Sequence, residues 1–263
     1  MSGWRGGRWR ARLQTAAAFV AILVAWQLVG LKVPRYLLPT PLETARELVV
    51  RAPLLAEHAA VTLREIVLGF LLGVAVSIPC GLAVAFSPAV ERMVMPVLVF
   101  TQLIPKIALA PLFIIWFGFG LFPKVFMTFL LSFFPIVIDA VVGFRSLDQE
   151  IVYLTRSMGL SSWQAFLKVR LPHALPQIFA GLKVAITLAT VGAIIGEFVG
   201  SDRGLGYLLL VAGGDLRTSL LFATLVVLTA IGLVLYYGMV LLERLAIPWH
   251  ISRRGPLSTE GGL

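Results

Sequence analysis

Long apolar segments separated by short polar stretches dominate this sequence. Six of them are long enough to be membrane-spanning helices, at about 13–31, 62–86, 93–117, 122–144, 178–199 and 218–242. A hydrocarbon layer is about 30 Å thick, so one helical crossing takes about 20 apolar residues. With 59% hydrophobic and only 13% charged residues, the chain lacks the polar surface of a soluble domain. We therefore expect an all-α polytopic membrane protein with six transmembrane helices.

The basic residues indicate the orientation of the chain. Arginines cluster before the first apolar segment, at Arg5, Arg8, Arg10 and Arg12. With six crossings, twelve Lys and Arg residues fall on the side of the N-terminus and eight on the other side. Because cytoplasmic loops carry the excess of Lys and Arg, both termini are predicted to be cytoplasmic. The predicted divisions are a tail at 1–12, a transmembrane domain at 13–245 and a second tail at 246–263.

Two other interpretations of the basic N-terminus and the net charge of +9 are less favoured. A secretory signal peptide has an apolar part of roughly 7–15 residues followed by a small-residue cleavage site, and this sequence has a longer run and no such site. Nucleic-acid binding is not expected, because the basic residues flank apolar runs, where they set topology and contact anionic lipid headgroups.

Small residues recur at helical spacing in two of the apolar segments. The second segment carries Gly69, Gly73, Ser77 and Gly81, and the fifth carries Gly181, Ala185, Ala189 and Ala193 beside Gly192, Gly196 and Gly200. Such stripes allow membrane helices to approach closely. The spacing is compatible with packing inside one subunit and with contact to a second copy beside a translocation pathway.

Few ionisable residues are expected at membrane depth: Lys106, Asp139, Lys183 and Glu197. Such groups usually face a cavity or a partner. Asp139 and Lys183 are placed near the cytoplasmic ends, where snorkelling accounts for them, and Glu197 near the outer end. Lys106 is the deepest, in the third segment, which two prolines interrupt. We hypothesise that Lys106 faces the pathway; the alternative is snorkelling, or capping of carbonyls freed by the two prolines.

The loop at 145–177 differs from the other connections. Leu147–Met158 is predicted to be a short helix that Gly159 ends in a left-handed conformation. A capping box at Ser161–Gln164 then predicts a second helix from Ser162 to Arg170 that stops before Pro172.

This second helix is expected to expose Trp163, Phe166 and Leu167. The pair of helices could lie on lipid headgroups as an interfacial elbow, or it could dock into a cytoplasmic partner.

The spacing in this loop resembles a known motif. Gly159, nine further residues and then Val169-Arg170-Leu171-Pro172 resemble the cytoplasmic loop of ATP-binding-cassette importer permeases. The Glu-Ala-Ala triplet of that family is replaced by Tyr153-Leu154-Thr155. Further stretches resemble the nitrate, sulfonate, taurine and bicarbonate branch and its relatives for pyrimidine precursors and riboflavin: Leu38-Pro39-Thr40-Pro41, Thr62-Leu63-Arg64, Gln102–Pro111, Trp116-Phe117-Gly118, Gly196-Glu197 and Gly204-Leu205-Gly206-Tyr207.

The resemblance implies a type I importer permease in a bacterial inner membrane. It implies three partners besides lipid: a dimer of cytoplasmic ATPases, a periplasmic or lipid-anchored solute-binding protein, and a second copy of the permease. The residues that it assigns to ATPase coupling are Gly159, Leu160, Ser161, Ser162, Trp163, Phe166, Leu171 and Pro172. The residues expected at the pathway or its gate are Lys106, Gly192, Gly196, Glu197, Gly204 and Gly206. The solute-binding protein is expected to deliver a small anion, a pyrimidine or a vitamin precursor to the outer surface at 36–60 and 201–218.

No catalytic, cofactor-binding or metal-binding pattern accompanies these motifs. The sequence has no phosphate-binding glycine loop followed by Lys and Ser or Thr, and its three histidines lack metal-ligand spacing. ATP hydrolysis is therefore expected on another chain. An ion-coupled secondary transporter and a membrane-embedded lipid-modifying enzyme are the alternative function classes.

Overall fold

The computed structural model describes the backbone of residues 4–249 and the side chains of residues 13–249 except residue 156. Every regular element in this described part is helical. The α-helices are α1 (Trp4–Lys32), α2 (Pro41–Val50), α3 (Ala52–Phe86), α4 (Pro88–Leu103), α5 (Ala110–Phe117), α6 (Leu121–Arg145), α7 (Gln149–Ser157), α8 (Ser162–Ala165), α9 (Leu171–Gly200), α10 (Leu205–Gly214) and α11 (Thr218–Ala246). A 3₁₀ turn (Lys106–Leu109) precedes α5, and a π-helical turn (Phe166–Arg170) joins α8 to α9.

Five helical stretches within residues 4–249 are long and apolar enough to cross a membrane: Leu13–Lys32, Ala52–Phe86, Leu121–Arg145, Ser162–Gly200 and Thr218–Ala246. A sixth crossing is possible where α4 and the helical stretch Lys106–Phe117 form a pair bent by 86°. These positions agree with the six predicted segments, and the prediction of an all-α polytopic membrane protein is confirmed.

The bend in the third segment begins at Ile104. This residue is extended (φ −71°, ψ 128°), as expected of a residue that precedes a proline. Pro111 does not interrupt the chain in the same way, because it lies in the first turn of α5, where no helical N–H is needed. Pro79 and Pro135 lie within α3 and α6, which continue through them.

The contacts divide the described chain into two compact units, residues 4–62 with 201–230 and residues 63–200 with 231–249. In the first unit, Trp26 of α1 donates a hydrogen bond to the Pro39 carbonyl (3.0 Å) and its ring packs on Phe222 of α11. The predicted capping box at α2 is present, because the Thr40 hydroxyl accepts from Glu43 N and the Glu43 carboxylate accepts from Thr40 N.

In the second unit, α6 lies between α3 and α9. Both neighbours approach it through glycines: a Cβ at Gly73 would lie 2.6 Å from Ser132 Oγ, and one at Gly192 would lie 2.7 Å from Thr128 Cα. Ala185, Ala189 and Ala193 of α9 are fully buried in the same core. The small-residue stripes are thus used for packing inside one chain, which was one of the two interpretations of their spacing.

Candidate functional site

The loop that follows α6 begins with α7 and turns at Gly159. This glycine has φ +75°, a left-handed conformation that L side chains rarely adopt, as the sequence predicted. The amide of Leu160 donates to the Thr155 carbonyl (3.2 Å) across the turn. The chain therefore reverses between α7 and α8 without strain on a side chain.

The second half of the loop is capped as predicted but does not stop where predicted. Ser161 Oγ accepts from Gln164 N, and Gln164 Oε1 accepts from Ser161 N, so the capping box is present. The prediction that this helix ends before Pro172 is wrong. Helical backbone continues from Ser162 through Pro172 to Gly200.

The π-helical turn explains how the helix passes the proline. Leu171 N donates to the Phe166 carbonyl, five residues earlier, so the backbone bonds are already shifted when the chain reaches Pro172. The widened turn accommodates a residue that lacks an N–H and that would otherwise clash with the carbonyl one turn before it. The loop and α9 are thereby one continuous helical rod with a local change of pitch.

Aromatic contacts anchor the loop to the ends of α3 and α6. The Phe166 ring lies 6.1 Å from the rings of Phe86 and Phe144, and the Arg170 guanidinium lies 4.8 Å above the Phe86 ring. Arg145 pairs with Glu91 at 2.6 Å beside them. Phe166 is therefore half-buried, which corrects the prediction that it is exposed, because a long-range aromatic cluster covers it. Leu171 packs against the same core.

The tip of the loop exposes apolar side chains. Trp163 is 66% exposed and stacks on Phe166 at 5.7 Å, so its ring is held in position while one face stays open. Tyr153, Leu154 and Met158 of the preceding helical hairpin are also exposed, at 64%, 58% and 69%. An aromatic ring held in position beside several exposed apolar side chains is typical of a docking surface.

A buried charge cluster lies at the opposite ends of α6 and α9. Lys124 Nζ is 2.9 Å from Glu65 Oε1, and Glu197 lies beside the Glu65 carboxyl group. Glu65, Lys124 and Glu197 are 0%, 6% and 1% exposed. Such burial is normally found only where charges are paired.

Glu65 and Lys124 lie within the predicted segments 62–86 and 122–144, but sequence reasoning did not include them among the ionisable residues at membrane depth. Glu65 belongs to α3 and Lys124 to the first turn of α6. A signal was available: Glu65 precedes Gly69 and Gly73 at steps of four residues, so it lies on the face that packs against α6.

The other predicted membrane-depth residues have defined contacts. Lys106 lies in the 3₁₀ turn, half-buried, with its ammonium 4.7 Å above the Phe134 ring. Asp139 accepts a hydrogen bond from Gln177, and Lys183 forms an ion pair with Glu243 at 2.8 Å. Specific partners therefore account for Asp139 and Lys183 better than snorkelling does.

Gly192 and Gly196 lie on the face of α9 that packs on α6. A Cβ at Gly196 would lie 2.9 Å from Lys124 Cα, so this glycine lets the end of α9 that carries Glu197 lie directly against Lys124 of α6. In the first unit, Gly204 begins α10 with φ +108°, and its amide lies 3.0 Å from His58 Nδ1. Gly206 is buried in the first turn of α10. The structure thus brings Gly196 and Glu197 together with Lys124, and Gly204 together with His58.

Comparison with known proteins agrees with these features. Residues 73–247 match the family described as the binding-protein-dependent transport system inner membrane component. A probable ABC transporter permease protein of Haemophilus influenzae is 39% identical over 83% of this chain and 90% of that protein. The riboflavin transport system permease protein RibX of Chloroflexus aurantiacus is 37% identical over 88% of each chain.

The fold is also found among solved structures. The inward-facing MetNI methionine ABC transporter superposes with a TM-score of 0.65 at 19% identity, covering 73% of this chain and 95% of that chain. This likeness confirms the type I importer permease fold. Further relatives are named for formylaminopyrimidine, aliphatic sulfonate and taurine transport, which confirms the predicted branch. The chain therefore belongs to the family of binding-protein-dependent inner-membrane transport components, and it is the non-catalytic permease subunit of an ATP-driven importer whose ATPase activity resides on a partner subunit.

Proposed function

We propose that the loop at 145–177 docks onto the cytoplasmic ATPase and carries ATP-driven movement into α9. The observation that supports this most directly is the continuity of the helix from Ser162 to Gly200. A helix of 39 residues extends about 58 Å at 1.5 Å per residue, so a displacement at its start is transmitted without an intervening flexible joint. Rigid-body movement of packed helices is an established way to switch a transporter between states.

The predicted coupling residues divide into two groups in this proposal. Gly159, Leu160, Ser161, Ser162 and Trp163 form the tip that contacts the ATPase. Phe166, Leu171 and Pro172 connect that tip to the helical core, because Phe166 and Leu171 pack there and Pro172 continues the rod. The departure at Tyr153-Leu154-Thr155 leaves two exposed apolar side chains on the docking surface.

The finer topology follows from the charge bias. In this topology, the loop at 145–177 and both termini lie in the cytoplasm of the bacterial cell. The ends of α6 and α9 that carry Lys124 and Glu197 then lie toward the outer surface. The solute-binding protein then delivers substrate to the surface formed by 36–60 and 201–218.

The pathway in this proposal lies between two copies of the permease, with lipid around them. Lys106 faces the pathway from the 86° bend between α4 and α5. Gly192 and Gly196 set the position of α9, which lines the pathway in this proposal. Glu197, Gly204 and Gly206 are assigned to the outer gate. The names of the relatives favour a small organic anion of the sulfonate or taurine type, or a pyrimidine or vitamin precursor, as the substrate.

The docking role is tested by Trp163→Ala. Truncating a tryptophan that anchors an interface costs about 2 kcal/mol, so association with the ATPase is expected to weaken about 30-fold. Trp116→Ala is the matched control, because Trp116 of α5 is similarly exposed (62%) and lies outside the loop. Copurification of the ATPase is measured in membranes with equal permease content. Unchanged ATPase association of the Trp163 variant would refute the docking role.

The pathway position of Lys106 is tested by thiol labelling. Lys106→Cys is combined with Cys80→Ser, since Cys80 is the one cysteine of the chain. A water-soluble thiol reagent is expected to label position 106 in at least one transport state. Met127→Cys, at a fully buried position, is the unlabelled control, and Trp163→Cys is the labelled one. Absence of labelling at 106 in every state contradicts the assignment.

A further inference from the structure

A cleft lies beside the base of the loop at 145–177, and the tip residue Trp163 is not part of its lining. It has a volume of about 500 Å³, a size common among ligand-binding sites. Its walls come from the end of α6, the start of α7, the π-helical turn, the first turns of α9 and the residues after α11, all within the second compact unit. The main lining residues are Val142, Ile151, Lys168, His173, Pro176 and Trp249.

The cleft lies at the level where membrane-spanning helices end. Val142 belongs to the last turn of α6, and Trp249 follows shortly after the end of α11. The start of α9 lies at the same depth, because a Cβ at Gly143 of α6 would be only 2.9 Å from the Ala174 carbonyl oxygen. Tryptophan is enriched at this depth, where lipid headgroups meet acyl chains. The cleft therefore opens at the membrane interface on the side of the loop.

The cleft contains a positive charge that no described carboxylate balances. Lys168 is exposed and forms no ion pair with the side chains described between residues 13 and 249. Two other polar side chains of the lining are engaged, since Ser146 donates to a backbone carbonyl of α6 and Gln177 donates to Asp139. The exposed ring of His173 adds a hydrogen-bond donor beside the lysine. These groups suit an anionic ligand, to which a lysine forms a charge-assisted hydrogen bond.

The rest of the cleft presents apolar side chains. Val142 and Ile151 are 48% and 37% exposed, and Pro176 lies further along α9. Lys168 and Pro176 are about 12 Å apart along one continuous helix, at 1.5 Å per residue. The cleft thus has a charged end near the loop and an apolar end toward the membrane interior. A ligand that matches both ends combines an anionic headgroup with an acyl chain.

We propose that this cleft binds an anionic phospholipid of the leaflet on the side of the loop. The lipid phosphate contacts the Lys168 ammonium group and the His173 ring, and the first part of an acyl chain lies along Val142 and Pro176. Basic clefts between membrane helices recognise lipid headgroups through this chemistry. A free inorganic anion would leave the apolar walls uncovered. The lipid connects the base of the loop to the ends of α6 and α11, whether or not an ATPase is docked at the tip.

Photolabelling of the full-length permease in lipid nanodiscs tests the site. The probe is a phosphatidylglycerol with a photoactivatable group on the first carbons of one acyl chain, and mass spectrometry identifies the labelled peptides. In the wild type, labelling is expected in the peptides that contain Val142 and Pro176. Lys168→Gln is expected to reduce it about fivefold, the effect of losing one lysine near an anionic headgroup, and Lys168→Arg is expected to retain it. Arg92→Gln is the matched control and is expected to label as the wild type does, because Arg92 is an exposed basic residue of α4 outside the cleft.

Competition identifies the source of the anionic group. Unlabelled phosphatidylglycerol is expected to displace the probe, whereas phosphatidylcholine and inorganic phosphate are not. Displacement by inorganic phosphate would assign the cleft to a free anion, and equal labelling of the wild type and Lys168→Gln would show that the lysine does not select the lipid. Either result overturns the proposal, and so does the absence of label from the cleft peptides. Because the permease is labelled without its ATPase, these outcomes are separate from those of the docking test.

Discussion

Lys124 Nζ lies 2.9 Å from Glu65 Oε1, although 59 residues separate the two in the sequence. The pair joins the first turn of α6 to α3 at a point where both side chains are almost completely buried. A buried ion pair of this kind fixes the position of two helices relative to each other, because either charge alone would be very costly in an apolar environment.

Removal of the lysine charge is therefore expected to destabilise the permease. Lys124→Met leaves the Glu65 carboxylate buried without a cation, and breaking a buried pair in this way costs about 3–5 kcal/mol. Thermal unfolding in detergent measures the loss. Arg64→Met changes an exposed neighbour on α3 and is expected to leave the unfolding midpoint nearly unchanged. Equal midpoints for the two variants would show that the pair is not important for stability.

The close contact between α9 and α6 predicts a second effect. Gly192→Ala places a Cβ 2.7 Å from the Thr128 Cα, and backbone cannot move aside as a side chain can. Overpacking of this kind costs about 1–3 kcal/mol. Gly232→Ala is the control, because no atom lies within 4 Å of a Cβ at that position of α11. If both variants unfold at the wild-type temperature, the helices are not packed as closely as described.

The turn at Gly159 predicts an effect of conformation alone. A Cβ at Gly159 meets no atom within 4 Å, so Gly159→Ala causes no steric clash. Its φ of +75° is unfavourable for alanine, and we expect the substitution to destabilise the turn by about 1 kcal/mol. Gly214→Ala also meets no atom, and this glycine has no positive φ. Hydrogen exchange of the Leu160 amide, which bonds across the turn, reports the local change. Faster exchange is expected only in the Gly159 variant, and equal exchange in both would contradict this interpretation of the turn.

The capping box of α2 predicts a dependence on pH. The hydrogen bond from the Thr40 backbone amide, assisted by Arg35, holds the pKa of Glu43 below its ordinary value of 4.5. A carboxyl group whose pKa is lowered in the folded state stabilises that state above its unfolded pKa, and the stabilisation is lost as pH falls through the folded pKa. Protection of the Thr40 amide is therefore expected to decrease on acidification below 4.5. Glu43→Gln, which keeps an acceptor but does not titrate, is expected to show a flatter profile over the same range.

Several features could be predicted from local sequence because their causes are local. Two capping boxes, at Thr40 and Ser161, depend on residues three positions apart, and the left-handed turn depends on Gly159 alone. The helix starting at Ser162 shows the limit of such reasoning. Pro172 normally predicts a helix end, but the π-helical turn before it accommodates the ring. Phe166, the first residue of that turn, packs against Phe86 and Phe144, which are distant in sequence.

The sequence by itself determined that this chain crosses a membrane several times, where most of its helices begin and end, and which importer family its loop motif resembles, because apolar length, capping and spacing act over a few residues. Only the tertiary structure decided that Glu65 pairs with Lys124, that the small-residue stripes pack on α6, and that the loop continues into α9 as one rod. These features depend on which distant faces meet, and helical periodicity places a residue on a face without specifying the partner opposite it.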